Sequence, residues 1–359
     1  VSIIMPVYNA QAFCARTLKS LMAQTYRDIE IIAVNDGSTD GSRAICERLA
    51  QRDSRIRVLS GENVGASLAR KKGLAFASGE YFMFCDADDL LVPEAVQTMV
   101  AAAEESAANI ALFGYTGFLF HPKFPLFRWT PHYACFDRPG VHDGQDFIDQ
   151  HFNSFFGWGT IPVGAPGYFY RRDFFDAVNP EFPAHSFGED LCLNIQLLPK
   201  VGRVMVVPQP LYLYRLGGSS ARFNPNYISD QAEIKQYQLR ALQQQGARMK
   251  EYLFLYHLEA ATALSAMGRM AFYYKTKDPT AVASLMREAF EVYTFLQEAQ
   301  IYLAAHPERI ETMRGQWGYE RCRLFTAGDF EGIALLLQSE IAREHPLKPL
   351  MRKLRKWLR

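Results

Sequence analysis

Tyr81-Phe-Met-Phe-Cys-Asp-Ala-Asp-Asp89 sets an apolar run directly against three carboxylates. Residues 81–85 have the length and aromatic content of a strand buried on both faces. Such a strand belongs to a sheet with helices on either side, and in those sheets ligands bind beyond the carboxyl ends of the strands. An acidic turn that caps the following helix is the plain alternative for the acidic tripeptide alone, and the buried strand before it argues against that. Asp86 and Asp88, at alternate positions, supply hard oxygen ligands of the kind that suit Mg2+ or Mn2+ bridging to a diphosphate.

Outward from this stretch, strand-like runs fall at residues 1–5, 29–34, 56–60 and 109–115. Helical apolar spacing falls between them at 12–24, 41–53, 65–77 and 93–105, the last opened by Pro93. This alternation is that of βαβ units, so the expected fold class is α/β with a mostly parallel central sheet. Pro6-Val7-Tyr8-Asn9 follows the first strand and Asn35-Asp36-Gly37-Ser38-Thr39-Asp40 the second. With residues 86–89 these loops are expected to meet in one crevice. Carboxylates gathered there repel one another unless a cation or hydrogen-bond donors offset them.

From 117 to 167 the pattern gives way to aromatic and Pro-rich sequence containing Phe118, Phe120, Phe124, Phe127, Trp129, Tyr133, Phe136, Phe155, Phe156 and Trp158. A wall for an acceptor and a hairpin packed on the core both fit it. Regular elements return as strands at 168–170, 204–207 and 211–214 and a helix at 189–198. Beyond Tyr227 only helical spacing is found. The expected division is an α/β domain over 1–226 and an all-helical unit over 227–359, joined at Phe223-Asn-Pro-Asn226.

The closing segment 346–359 interleaves Lys348, Arg352, Lys353, Arg355, Lys356 and Arg359 with Leu347, Leu350, Met351, Leu354, Trp357 and Leu358. That is a basic amphipathic helix suited to an anionic membrane surface. Packing on its own domain, or on a second copy in a homo-oligomer, is the alternative. The net charge of +1 over 359 residues gives no general attraction to nucleic acid. Six scattered cysteines without a C-x-x-C pair indicate a reducing compartment. No apolar run of membrane-spanning length occurs, so the expected location is cytoplasmic, peripheral on the inner face of the cell membrane. Neither G-x-x-x-x-G-K-[ST] nor G-x-G-x-x-G follows the first strand, which argues against a P-loop nucleotidase and a nicotinamide dehydrogenase. The Gly-rich basic signature of a nucleotidyltransferase is missing there too.

Taken together, Pro6-Val7-Tyr8-Asn9, Val34 to Asp40, Glu62-Asn63-Val64-Gly65 through Ala69-Arg70, Asp86-Ala87-Asp88-Asp89 and Gly188-Glu189-Asp190 resemble, in order and spacing, the family 2 glycosyltransferases of GT-A fold that build bacterial surface glycans. The resemblance covers about residues 1–220. It departs at Asn35, where the family commonly has Asp, and at Lys71-Lys72, where Asn commonly follows the arginine.

The resemblance implies a metal-dependent transfer from a nucleotide-sugar donor, with UDP the preferred nucleotide, to a glycan, glycolipid or glycoprotein acceptor. By it, Pro6, Val7, Tyr8 and Asp36 contact the nucleobase and Arg70 holds base or phosphate. Asp86 and Ala87 lie at the donor, and Asp88 binds Mn2+ or Mg2+. Asp190 is the general base, with Glu189 positioning it or touching the acceptor. Arg215, in Tyr212-Leu-Tyr-Arg-Leu-Gly-Gly-Ser-Ser220, resembles a residue that closes over the diphosphate, and His185 could approach the metal or leaving group or be structural. One base and one electrophile imply a single in-line displacement with inversion. A non-catalytic nucleotide-sugar-binding or scaffold protein acting through the helical unit is the alternative.

Overall fold

Every residue of β1 (Ser2–Val7) is buried, which requires cover on both faces of the strand. Ile3, Met5 and Val7 join the larger apolar layer with α1 (Cys14–Met22) and α2 (Ser42–Ala50), whose Leu18, Leu21, Cys46 and Leu49 are buried there. Ile4 faces the other way. On that side α3 (Ala66–Ala75) comes so close that a Cβ on Gly73 would stand 2.5 Å from Ile4 Cγ2. Period-two alternation thus reads directly into two layers of helix around one sheet.

The computed structural model describes residues 1–121, 124–157, 159–184, 187–216, 224–316 and 318–343. β2 (Glu30–Asp36), β3 (Ile56–Gly61) and β4 (Tyr81–Phe84) run parallel with β1 in the order β3-β2-β1-β4. After the short β5 (Leu90–Leu91) and α4 (Ala95–Ser106), β6 (Ile110–His121) and β7 (Phe124–Trp129) make an antiparallel hairpin. β8 (Gly140–Asp143) leads into α5 (Gly144–His151) and β9 (Tyr168–Arg171) into α6 (Arg172–Val178), and α7 (Glu189–Leu197) precedes β10 (Arg203–Arg215). β9 lies antiparallel between β4 and β6, and β10 pairs parallel with β6. The result is a 10-stranded mixed sheet in which β1–β4, β6 and β10 share one direction.

The two short strands expected at 204–207 and 211–214 form the single β10. Its register on β6 slips between Val207 and Tyr212, where Pro208 and Pro210 cannot donate to the ladder. On the sheet face opposite the main core, Phe82 stacks on Tyr170 at 5.1 Å and meets Phe175 edge-on at 4.9 Å. These rings replace the aliphatic cover found elsewhere.

The chain divides into two compact units, residues 1–218 and 219–359. The second is built from α8 (Tyr227–Gln243), α9 (Met249–Tyr274), α10 (Pro279–Val292), α11 (Thr294–Ala304), α12 (Pro307–Glu311), α13 (Tyr319–Thr326) and α14 (Phe330–Ala342). No strand occurs in it among the described residues, as the helical spacing implied. Its own core contains Leu264, Phe272, Met286, Leu296, Phe325 and Ile333. Asp278 caps α10 by accepting from the Thr280 N–H, with Pro279 in the first turn. Among the described residues no helix is long and apolar enough to cross a membrane. The basic segment 346–359 lies outside the described residues, as do Trp158, His185, the glycine pair 217–218 and the side chains of Phe120, Phe124, Phe127 and Trp129.

Candidate active site

The loops after β1 and β2 are tied to each other. Pro6 and Val7 are buried and Tyr8 stands 53% exposed at the rim. Asn9 Oδ1 accepts from the Thr39 N–H at 2.9 Å, and the Asn9 N–H donates to Ser38 Oγ at 3.1 Å. Gln11 N–H donates to Asp40 Oδ2 at 3.0 Å. Asp36, 4% exposed, accepts the Val64 and Gly65 N–H groups, one on each carboxylate oxygen, both at 2.9 Å. Each oxygen keeps a further lone pair. Gly37 has φ +68°, and a Cβ there would stand 2.6 Å from Asn63 N, so only glycine lets residues 62–65 cover the end of β2.

Beyond β4 the acidic side chains gather around two arginines. Arg70, on α3 and 3% exposed, donates from Nη2 to Asp86 Oδ1 at 2.8 Å. Its Nη1 donates to Asp190 Oδ1 at 2.9 Å and to Glu189 Oε1 at 3.2 Å. Glu189 and Asp190 form the first turn of α7, entered through Gly188 at φ +77°, where the helix N-terminus favours negative charge. Asn194, fully buried on the same helix, accepts from Tyr170 Oη at 3.0 Å and donates to the Val163 carbonyl at 2.9 Å. The helix is thereby anchored to β9 and to the 163–167 turn.

Arg215 closes the other side. Its Nη2 and Nε both reach Asp88 Oδ2, at 2.5 and 3.0 Å, and its guanidinium lies 3.9 Å from the centre of the Phe13 ring. Asp89, 1% exposed, accepts from Tyr212 Oη at 2.7 Å and from the Arg215 N–H at 2.6 Å. Tyr212 Oη in turn accepts the Asp86 N–H at 3.1 Å. Ala87 is buried and its carbonyl accepts from the Thr17 hydroxyl at 2.8 Å. The cluster that the sequence required to be offset is offset by the protein's own cations and N–H groups.

The electrostatics follow from burial. Loss of hydration pushes Asp190 up to about 7; Arg70 opposes this, while Glu189 and Asp86 push the same way. Burial likewise raises Asp88 against the pull of Arg215, and holds Asp89 well above the usual carboxylate range.

Asp86 and Asp190 open into a cavity of about 330 Å³ whose walls include Tyr115, Tyr133, Tyr212 and Tyr214. The Tyr115 and Tyr133 hydroxyls are 2.8 Å apart, and the Tyr115 and Tyr214 rings meet edge-on at 6.0 Å. Flat apolar faces with hydroxyl rims, beside two carboxylates, suit a small polyhydroxylated ring. Sequence reasoning included Tyr133 in its aromatic stretch but gave Tyr115, Tyr212 and Tyr214 no separate role. The signal present was Tyr212 and Tyr214 at i, i+2 near the carboxyl end of a strand, hence on one face.

The sequence-derived residues thus fall into three places. Pro6, Val7, Tyr8 and Asp36 stand at the ends of β1 and β2. Arg70, Asp86, Glu189 and Asp190 form one ion-paired knot, with Arg70 turned onto carboxylates. Asp88 and Arg215 are paired with each other. Among the described residues no group of three or more His, Cys, Asp or Glu could hold a metal by itself. The Asp88 side chain, 28% exposed, is one hard oxygen donor. That fits Mg2+ or a similar cation that keeps waters and takes its remaining oxygens from phosphate.

Known proteins are similar to this chain in sequence and in fold. The model of glycosyl transferase family 2 matches residues 2–175. Glycosyltransferase GlyA of Streptococcus pneumoniae serotype 4 is 29% identical over 263 residues, 71% of this chain and 36% of GlyA, so the chain spans about a third of that protein. The uncharacterized glycosyltransferase EpsJ of Bacillus subtilis is 31% identical over 242 residues, 67% of this chain and 68% of EpsJ. Among solved structures, S. aureus TarS 1–349 in complex with UDP-GlcNAc has the same fold, with a TM-score of 0.64 at 17% identity over 96% of this chain and 92% of that one. With the acidic loops at the carboxyl edge of the sheet and a match across two thirds of EpsJ, the chain belongs to glycosyl transferase family 2.

Proposed function

We propose that this protein transfers a sugar from a UDP-sugar to an acceptor hydroxyl, with inversion at the anomeric carbon. The acceptor is a bacterial surface polysaccharide, a glycolipid or a glycoprotein glycan. The observation that carries this reading is the tyrosine-walled cavity into which Asp86 and Asp190 open together. The glycosyltransferase names of GlyA and EpsJ support it, as do the UDP and UDP-GlcNAc complexes of TarS. The sugar is a hexose or an N-acetylhexosamine.

In this reading residues 1–226 are the catalytic domain and 227–359 a helical domain that serves oligomerisation or, through 346–359, contact with an anionic membrane surface. Pro6, Val7, Tyr8 and Asp36 hold the nucleobase, and Asp86 with Ala87 borders the donor ribose. Asp88 would hold Mn2+ or Mg2+, which when bound offsets the charge of the departing diphosphate. Arg215, released from Asp88, swings to the phosphates. Asp190 takes the proton of the acceptor hydroxyl, and a base near neutrality suits that step. Glu189 keeps the acceptor side polar. Asp190→Asn tests the assignment: transfer disappears while UDP still binds. Turnover comparable to the wild type in that variant would contradict it.

A further inference from the structure

Among the described residues Arg70 is the one cation that touches three of the acidic residues at the site. Its side chain is 4% exposed, and both terminal nitrogens are engaged by Asp86, Glu189 and Asp190. Its Nε is buried without a hydrogen-bond partner. It does not belong to the lining of the cavity. A phosphate or a base would find almost no surface of this residue to touch.

The partners are distant in sequence. Asp86 follows β4, 16 residues from Arg70, and Glu189 and Asp190 open α7, 119 and 120 residues away. One planar guanidinium therefore fixes the spacing between the loop after β4 and the first turn of α7. The guanidinium carbon lies over the Phe84 ring, 5.8 Å from its centre. We infer that Arg70 is a positioning residue, which sets the distance between the acceptor-side base Asp190 and the donor-side Asp86 without touching the donor. This rests on the transferase reading above. A rigid planar fork sets the spacing of the three carboxylates it bridges, whereas the ammonium of lysine is a point charge on a flexible stem whose three donors rotate freely and fix no such spacing.

The test uses the full chain with Arg70→Lys, which keeps a cation in place, and Arg70→Ala, with circular dichroism to verify folding. UDP affinity in the presence of Mn2+ is read first by calorimetry and needs no turnover. The expected result is wild-type UDP affinity in Arg70→Lys, with kcat at saturating donor lower by about 100-fold, the loss typical of a misplaced reacting group. Added guanidinium is expected to restore part of the kcat of Arg70→Ala, which a purely structural defect would not allow. Loss of UDP affinity in Arg70→Lys beyond that of an Asp86→Ala variant makes Arg70 a donor ligand and overturns the inference, and so does an unchanged kcat. A wild type that turns over no sugar nucleotide overturns the transferase reading and this inference with it, and that result is separable because it appears in the wild type.

Discussion

Replacing Asp190 by Asn removes a carboxyl that the fold holds half-buried at the mouth of the cavity, its side chain 23% exposed. The ordinary value of 3.8 is moved up to about 7, which at about 1.4 kcal/mol per pH unit disfavours the folded carboxylate by about 4 kcal/mol. Because the folded value is the higher one, the stability linked to this group is full below 3.8 and is lost as pH rises through about 7. Asparagine has no such loss and can still accept a hydrogen bond from Arg70. The stability of Asp190→Asn relative to wild type is therefore expected to rise by about 2 to 3 kcal/mol between pH 5 and pH 8. Urea unfolding of both proteins at the two pH values measures it. The groups facing Asp190 are Arg70 from α3, Glu189 beside it, Asp86 after β4 and Tyr170 on β9. The same titration governs catalysis, so wild-type kcat/KM is expected to climb with pH and level off above about 7. A stability gap that does not change with pH, together with a flat rate profile from pH 5 to 8, would refute the reasoning.

Arg215→Ala is expected to free Asp88 and tighten Mn2+ binding to the donor-free protein by about tenfold, from the loss of one charge-assisted contact, as read by electron paramagnetic resonance. Weaker Mn2+ binding in that variant would make Arg215 a support of the site rather than a competitor for it. Gly37→Ala should destabilise the α/β unit by about 2 kcal/mol, since alanine meets both a left-handed backbone and the Asn63 amide; unchanged urea unfolding would contradict the close approach. Tyr212→Phe deprives buried Asp89 of a donor and the Asp86 N–H of an acceptor, at a cost of about 1 to 3 kcal/mol measurable in the same way.

Most of the sheet was legible because burial on both faces leaves a dense apolar signature, as in residues 2–7 and 81–84, and polar loops follow at once. That the loops after β1, β2 and β4 leave the same edge of the sheet followed from the direction of parallel strands alone. The continuity of β10 was hidden by Pro208 and Pro210, which locally read as a break although the strand passes them with a shifted register. The engagement of Arg70 was hidden for another reason. Sequence supplies its identity, but its three partners are gathered by tertiary folding, and a buried arginine among carboxylates has no local mark. Asp89 is similar: it stands in an acidic run, yet its burial under Tyr212 and the Arg215 backbone depends on β10 pairing with β5.

Release of nucleoside diphosphate from a panel of UDP-sugars, with Mn2+ or with EDTA and beside an Asp88→Ala control, tests the central claim most directly. The account predicts metal-dependent release from one donor, strongest with acceptor present and lost in the control. Donor that binds tightly but is never cleaved, whatever acceptor is offered, would contradict it and leave a protein that holds nucleotide sugars without transferring them.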